Sequence, residues 1–241
     1  MIISRLKIAR RALLGTNHAG RAASIFADDI MLVSYPKSGN TWTRFLIANL
    51  VSTEPVTFAN IESIIPDIYQ WNDSYLKSIK GPRILKSHEY FDPRYKKSIC
   101  IVRDPRDIVL SYWFHQIKFK AIKSDTPLID FVEKFVSGEL DGFGSWGENI
   151  GSWIGAKGDS SDFLLVKYED LITNPLQELK RIANFVECDN STDIIAAAVD
   201  SSSIDRMRSM EKQQSAEWKV LNKSKHRKEI PFVRKGKKGE W

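Results

Sequence analysis

An apolar run, Ile30-Met31-Leu32-Val33, leads directly into Tyr35-Pro36-Lys37-Ser38-Gly39-Asn40-Thr41-Trp42. Helical spacing follows from Thr41 to Val51. Trp42, Phe45, Leu46 and Leu50 form one stripe that also takes in Asn49. Strand, tight loop and helix in that order form the unit from which covered parallel sheets are built. The loop content is that of an anion cradle. A helix start offers unpaired N–H groups and a positive dipole end. Gly39 lets the backbone approach an anion, Lys37 adds a full charge, and Ser38 and Thr41 add hydroxyl donors. The usual nucleotide loop has two glycines and ends in Gly-Lys-Ser/Thr. Here the lysine precedes the only glycine.

The same alternation recurs along the chain. Strands are expected near Ile30–Ser34, Arg83–Lys86, Ser98–Val102 and Phe163–Lys167, each short and rich in Val, Ile, Leu or Phe, as strands buried on both faces are. Helices are expected at Thr41–Ser52, Pro105–Phe119, Leu128–Ser137, Trp146–Ala156, Leu176–Val186 and around Asp193–Lys212. The fold expected is α/β, a P-loop-like three-layer α/β/α arrangement with a central parallel sheet. Such sheets bind ligands outside the carboxyl ends of their strands. The 35–42 loop, His88 and Arg103 all fall there. Residues 53–82 show no clean period and read equally as a functional loop or as a surface excursion. A plain helix is expected at Met1–Gly15, within an N-terminal extension over 1–29.

The 241 residues suit a single domain. No apolar run approaches the about 18 residues that span a bilayer, so no stable membrane insertion is expected. The two cysteines, Cys100 and Cys188, form no disulfide framework or metal-ligand spacing, and a reducing, cytoplasmic setting is the expectation. Net charge is +6, and residues 223–241 carry eight basic and two acidic residues, so the whole excess lies in the tail. Such a patch could meet nucleic acid or close over an anionic ligand.

Three further blocks carry chemistry. In Arg103-Asp104-Pro105-Arg106-Asp107, Asp104 is a good N-cap and Pro105 a good first helical residue. Arg103 ends a strand, and Ser111 lies about two turns into the helix. Lys86-Ser87-His88 puts a cation, a hydroxyl and a histidine at a strand end, and histidine is the commonest general base near neutral pH. Finally, Arg234-Lys235-Gly236-Lys237-Lys238-Gly239-Glu240-Trp241 interleaves glycine with cations, a pattern that can wrap an anion with backbone N–H groups.

These four blocks, in this order, resemble the cytosolic-type sulfotransferases that use 3′-phosphoadenosine 5′-phosphosulfate (PAPS) and release PAP. The 35–42 loop looks like the family's 5′-phosphosulfate loop, Arg103 to Ser111 like its 3′-phosphate block, Lys86-Ser87-His88 like its catalytic Lys-Thr-His segment, and the tail like its C-terminal signature, usually written with Asp before Trp. Gly144-Ser145-Trp146, running to Trp153, is similar to the helix that precedes the family's Tyr-Glu-Asp strand, here Val166 to Asp170. The likeness covers residues 30–241 and implies a single sulfotransferase domain over 1–241, closed by the basic tail at 223–241.

The resemblance implies roles. Lys37 would stabilise charge on the leaving oxygen, and Ser38, Gly39, Asn40 and Thr41 would cradle the phosphosulfate. Trp42 would stack on adenine, with Tyr168 at its edge and Ser202 and Met207 nearby. Arg103 and Ser111 would hold the 3′-phosphate with Arg234, Lys235 and Gly236. His88 would take the acceptor's proton, and Lys86 would neutralise the transferring group. The acceptor would be a hydroxyl or amine of a small molecule, glycan or lipid, with no nucleic acid. Phe58, Tyr69, Trp71, Phe114 and Phe119 hint at an apolar or aromatic one. Asn40 stands where many members have Thr, and Ile204 where an aromatic is common. The chain stops at Trp241, where members usually continue, which reads as a short bacterial-type member or a truncation and leaves the oligomeric state open. A P-loop kinase, a polyanion binder and a PAPS-binding protein without catalysis are the competing readings.

Overall fold

A computed structural model describes residues 23–214, 226–233, 236, 239 and 241. The helix expected at Met1–Gly15, and Arg234 and Lys235 of the tail, lie outside these residues. Strands β1 (Ile30–Ser34), β2 (Ile84–Ser87), β3 (Lys97–Val102) and β4 (Phe163–Lys167) form a parallel sheet in the order β2-β1-β3-β4. Ile30 is in register with both Ile84 and Lys97, and Ser98 with Phe163.

Side chains alternate across a strand, and both faces here are buried. Ile30, Leu32, Ile99, Ile101 and Val166 enter one apolar cluster; Met31, Val33, Leu85, Cys100 and Phe163 enter the other. The first cluster is completed by α1 (Asn40–Val51), α7 (Tyr168–Thr173), α8 (Pro175–Val186), α9 (Thr192–Ser201) and α10 (Ile204–Gln214). The second is completed by α4 (Pro105–Lys118), α5 (Leu128–Ser137) and α6 (Trp146–Lys157). This is the expected three-layer architecture. Both cysteines are free, and burial pushes the Cys100 thiol up to about 12.

Helix starts follow their caps. Asp104 accepts from Arg106 N at 2.9 Å with Pro105 at the first position. Ser145 accepts from Glu148 N at 3.3 Å, and its hydroxyl donates to the Glu148 carboxylate at 3.0 Å. Two expectations are corrected. The helix around 193–212 is two helices, broken at Ser202-Ser203. There the Ser202 carbonyl accepts from the Trp42 indole at 2.9 Å, and its hydroxyl accepts from Asn49 Nδ2 at 3.2 Å. The strand expected over Val166–Asp170 ends at Lys167, and Tyr168 opens α7.

Residues 53–82 are more than a surface excursion and bring Asp67, Tyr69 and Gln70 to a cavity. They contain α2 (Ile61–Ile64) and α3 (Asp73–Ser78). Val56, Phe58, Ile61 and Ile65 join one core cluster, and Ile68 and Leu76 join the other. Asp67 pairs beside Lys86 as a parallel bridge, so the segment caps the β2 edge of the sheet.

At the opposite end of the strands, Arg83 and Asp29 form a fully buried ion pair. Arg83 Nε and Nη2 reach the two carboxylate oxygens at 2.7 and 2.5 Å, and Nη1 and Nη2 also donate to the Leu76 and Ser24 carbonyls. Phe26 covers the guanidinium, with its ring centroid 4.0 Å away. Removing one member leaves a charge buried without its partner. Arg83→Met should therefore lower stability by about 3–5 kcal/mol in urea unfolding. A loss below about 1 kcal/mol, the range of an exposed pair, would place Asp29 in water.

Candidate functional site

The carboxyl ends of the four strands open onto one cavity of about 780 Å3, within the ordinary range for ligand sites. The loop after β1 forms its floor. Lys37 and Gly39 both take left-handed φ, 69° and 96°. For lysine this conformation costs about 1–2 kcal/mol. Strain of that kind is characteristic of ligand clamps. A Cβ on Gly39 would stand 2.3 Å from the Tyr168 ring, so only glycine fits beneath that side chain. Ser38 is buried, and its hydroxyl has no hydrogen-bond partner among the described residues; neither has Asn40 Oδ1. Buried polar groups are normally satisfied, and of these two only the Ser38 hydroxyl can donate.

His88 follows the end of β2. Its Nδ1 lies 2.7 Å from the Ser34 carbonyl. A carbonyl only accepts, so Nδ1 carries the proton and Nε2 keeps its lone pair. Burial, then the charges of Lys86 and Lys37, push His88 down to about 3 despite Asp67 and the Ser34 bond. It is a neutral imidazole at physiological pH. Tyr69 lies nearly parallel to the ring at 6.1 Å and 13°, and Phe143 packs edge-on at 5.5 Å. Asn149 Nδ2 donates to the His88 carbonyl at 3.1 Å.

Cations surround this base. Lys86 is buried and pairs with Asp67 at 2.8 Å. The Lys37 ammonium lies 4.5 Å from the centroid of the Phe232 ring. At the far end Arg103 is buried, with its guanidinium 4.3 Å from the Tyr168 ring centroid, Nη1 donating to the Lys37 carbonyl at 3.4 Å, and Asp107 at 3.9 Å. Between the two ends the Trp42 and Tyr168 rings meet edge-on at 5.8 Å, and Ile204 and Met207 line the same stretch.

The structure brings Lys37, Gly39, Asn40, Thr41, Trp42, Lys86, His88, Arg103, Ser111, Tyr168, Met207 and Gly236 to one cavity. Ser202 is fully buried behind Trp42, and its neighbour Ser203 lines the cavity. Ser38, within the loop, is fully buried and does not line the cavity. Of the aromatics expected around an acceptor, only Tyr69 lines the main cavity. Phe58 packs on Phe45 in the core, Trp71 stacks on Tyr75, Phe119 packs against His115, and Phe114 lines a small side pocket.

Sequence reasoning expected an acceptor pocket from 53–82 and 114–143 but singled out none of Asp67, His115 and Phe143 within those segments, nor Arg44 and Phe232 outside them; all five are on the wall. His115 had a signal, since it follows Ser111 by one helical turn. Burial and the charge of Lys37 hold it well below the usual histidine range, and its Nδ1 has no partner among the described residues. Phe232 is set by Glu211, whose buried carboxylate accepts the backbone N–H groups of Phe232 and Val233 at 2.6 and 2.8 Å. A cavity with neutral imidazole, buried ammonium and guanidinium groups, and bare helix-start amides suits an anionic group whose charge shifts while a proton leaves its partner. Among the described residues no group of three or more His, Cys, Asp or Glu could hold a metal ion, and no helix is long and apolar enough to cross a membrane.

Comparison with known proteins agrees with this geometry. The sulfotransferase domain model matches residues 27–241. Sulfotransferase 1E1 of Bos taurus is 29% identical over 231 residues, covering 89% of this chain and 77% of the relative. Cytosolic sulfotransferase 10 of Arabidopsis thaliana is 28% identical over 245 residues, covering 88% and 72%. The structure of mouse sulfotransferase SULT7A1 complexed with PAP superposes with a TM-score of 0.72 at 25% identity, covering 92% of this chain and 80% of that one.

The depressed His88 has a measurable consequence. The unfolded chain takes up a proton near the ordinary value of about 6.5, which the native ring refuses until about 3. Stability is therefore complete above about 6.5 and is lost as pH falls through this window. His115 adds to the same slope. His88→Gln should flatten the dependence of Tm on pH between about 6.5 and 5. An unchanged slope in thermal unfolding would mean that native His88 is already protonated there.

Proposed function

Because the chain belongs to the sulfotransferase domain family, and is thus a PAPS-dependent sulfotransferase, we propose that His88 is the general base that takes the proton of the acceptor hydroxyl. The observation that carries this reading is the hydrogen bond from His88 Nδ1 to the Ser34 carbonyl. It fixes the tautomer with Nε2 as proton acceptor, in a site where the ring is neutral.

The remaining roles follow from position and charge. PAPS supplies an activated sulfuryl group whose departure leaves PAP. Sulfuryl transfer resembles phosphoryl transfer in being mostly positioning and neutralisation of spread charge. Lys37, at the loop, stabilises charge on the leaving oxygen, and Lys86 neutralises the transferring group. The amides at the start of α1 hold the phosphosulfate, with Gly39, Asn40 and Thr41 on the cavity wall around it and Ser38 buried behind them. Arg103 and Ser111 hold the 3′-phosphate, with Gly236 bringing the tail in. Ile204 and Met207 provide the apolar wall opposite Trp42 for the adenine, an aliphatic face in place of a second ring. Tyr168 closes its edge. The acceptor sits against Tyr69 and Phe143, two rings that border His88 and favour a flat apolar body on a small molecule.

Two outcomes are expected. PAP should raise Tm well above the shift given by ATP or ADP at equal concentration, because only PAP carries the 3′-phosphate; equal shifts would remove the assigned role of Arg103 and Ser111. Radiolabelled PAPS screened over phenols, sterols, glycans and amines should label a flat phenol or alcohol. With that acceptor His88→Asn should lower turnover by roughly 100- to 10,000-fold while PAP still protects the fold. Wild-type turnover in the variant would place the base elsewhere.

A further inference from the structure

Lys86 and His88 stand two residues apart at the end of β2, and one segment of residues 53–82 touches both. The Pro66 carbonyl accepts from Lys86 N at 2.9 Å, and Ile68 N donates to the Lys86 carbonyl at 3.2 Å. Asp67 is thereby bridged directly to Lys86, and paired residues of adjacent strands project to the same face. The Asp67 carboxylate meets the Lys86 ammonium at 2.8 Å through Oδ2 and accepts from Tyr69 N at 3.0 Å through Oδ1. Asp67 N donates to Glu62 at 3.1 Å. Two residues on, the Tyr69 hydroxyl accepts from His88 N at 2.9 Å, and its ring lies along the imidazole.

We propose that Asp67 is a positioning residue for sulfuryl transfer: its carboxylate holds the Lys86 ammonium on the cavity wall beside His88. The proposal rests on the role given to Lys86 above. A buried lysine loses its proton readily. Burial pulls Lys86 down, Asp67 pushes it up, Arg44 of α1 pulls it down and Glu62 of α2 pushes it up. His88 and, from α4, His115 also feel its charge, and the Tyr69 ring lies 5.0 Å from the ammonium. Among these groups Asp67 alone touches the ammonium with an anion. The segment itself has other anchors. Arg44 pairs with Glu62 at 3.0 Å and donates to the Ile65 carbonyl, and an asparagine at 67 could still accept from Tyr69 N.

Asp67→Asn in the full chain, assayed with PAPS and the acceptor found by the screen, should lower kcat by roughly 100-fold. The KM for PAPS and the PAP-induced shift in Tm should stay at wild-type values. The alkaline limb of the pH–rate profile should move to lower pH, since Lys86 without Asp67 gives up its proton earlier, and Asp67→Glu should restore part of the rate. In the Lys86→Met background Asp67→Asn should cost nothing further. The double variant buries no unpartnered ammonium, so it serves even if Asp67→Asn does not fold. An additional loss relative to Lys86→Met overturns the proposal. An impaired Lys86→Met beside a fully active Asp67→Asn also overturns it while leaving the Lys86 role intact. A fully active Lys86→Met removes the Lys86 role and the proposal with it.

Discussion

The Ser34 carbonyl accepts a hydrogen bond from the His88 ring at 2.7 Å, and most of the site depends on that contact. Ser34 is the last residue of β1, so its position is set by the sheet. Val33 is in register with Ser87 on one side, and Ser34 with Ile101 on the other. Its hydroxyl also accepts from Asn40 Nδ2 at 3.1 Å, at the start of α1. One residue thus ties the anion loop, the helix behind it and the imidazole to a common frame. The parallel arrangement makes this possible, because it brings the ends of β1 and β2 side by side.

The two ends of the sheet treat buried charge differently. At the amino end Arg83 is fully consumed by Asp29 and two carbonyls, and its work is structural. At the carboxyl end the Arg44–Glu62 and Lys86–Asp67 pairs are nearly as buried, yet Arg44, Lys86 and Asp67 also line the cavity. Buried ion pairs seldom repay their desolvation as stability. Their concentration beside a depressed histidine is the signature of a site that holds its charges ready before an anion arrives.

The sheet was legible because β1 is buried along its whole length and β3 and β4 carry the apolar runs Ile99–Val102 and Phe163–Val166. The loop at 35–42, Arg103 and Lys86-Ser87-His88 were legible because their residue types are costly unless used, and all fall at strand ends. What escaped was fixed by tertiary contact rather than period. Residues 53–82 have no pattern of their own because they join the sheet through the single bridge at Asp67. The break at Ser202 has no glycine or proline to announce it; it forms where Trp42 and Asn49 donate hydrogen bonds to Ser202. Tyr168, strand-like by neighbourhood, begins a helix with its ring closed over Gly39.

The described part of the basic tail is held to the body through its main chain. Glu211 holds the N–H groups of Phe232 and Val233, and Asp107 accepts from Gly239 N at 2.9 Å. The Lys118 carbonyl accepts from Arg227 N at 2.8 Å, and the Lys118 ammonium donates to the Ile230 carbonyl. At the chain end the Trp241 ring centroid lies 3.3 Å from the Arg106 guanidinium. In these backbone contacts two carboxylates, one ammonium and one main-chain carbonyl of the body meet the tail's peptide groups. A segment anchored through its backbone does not have to use its charged side chains to stay in place. Phe232 is thereby set against the Lys37 ammonium, so the same docking that seats the tail also covers the lysine of the loop at the end of β1.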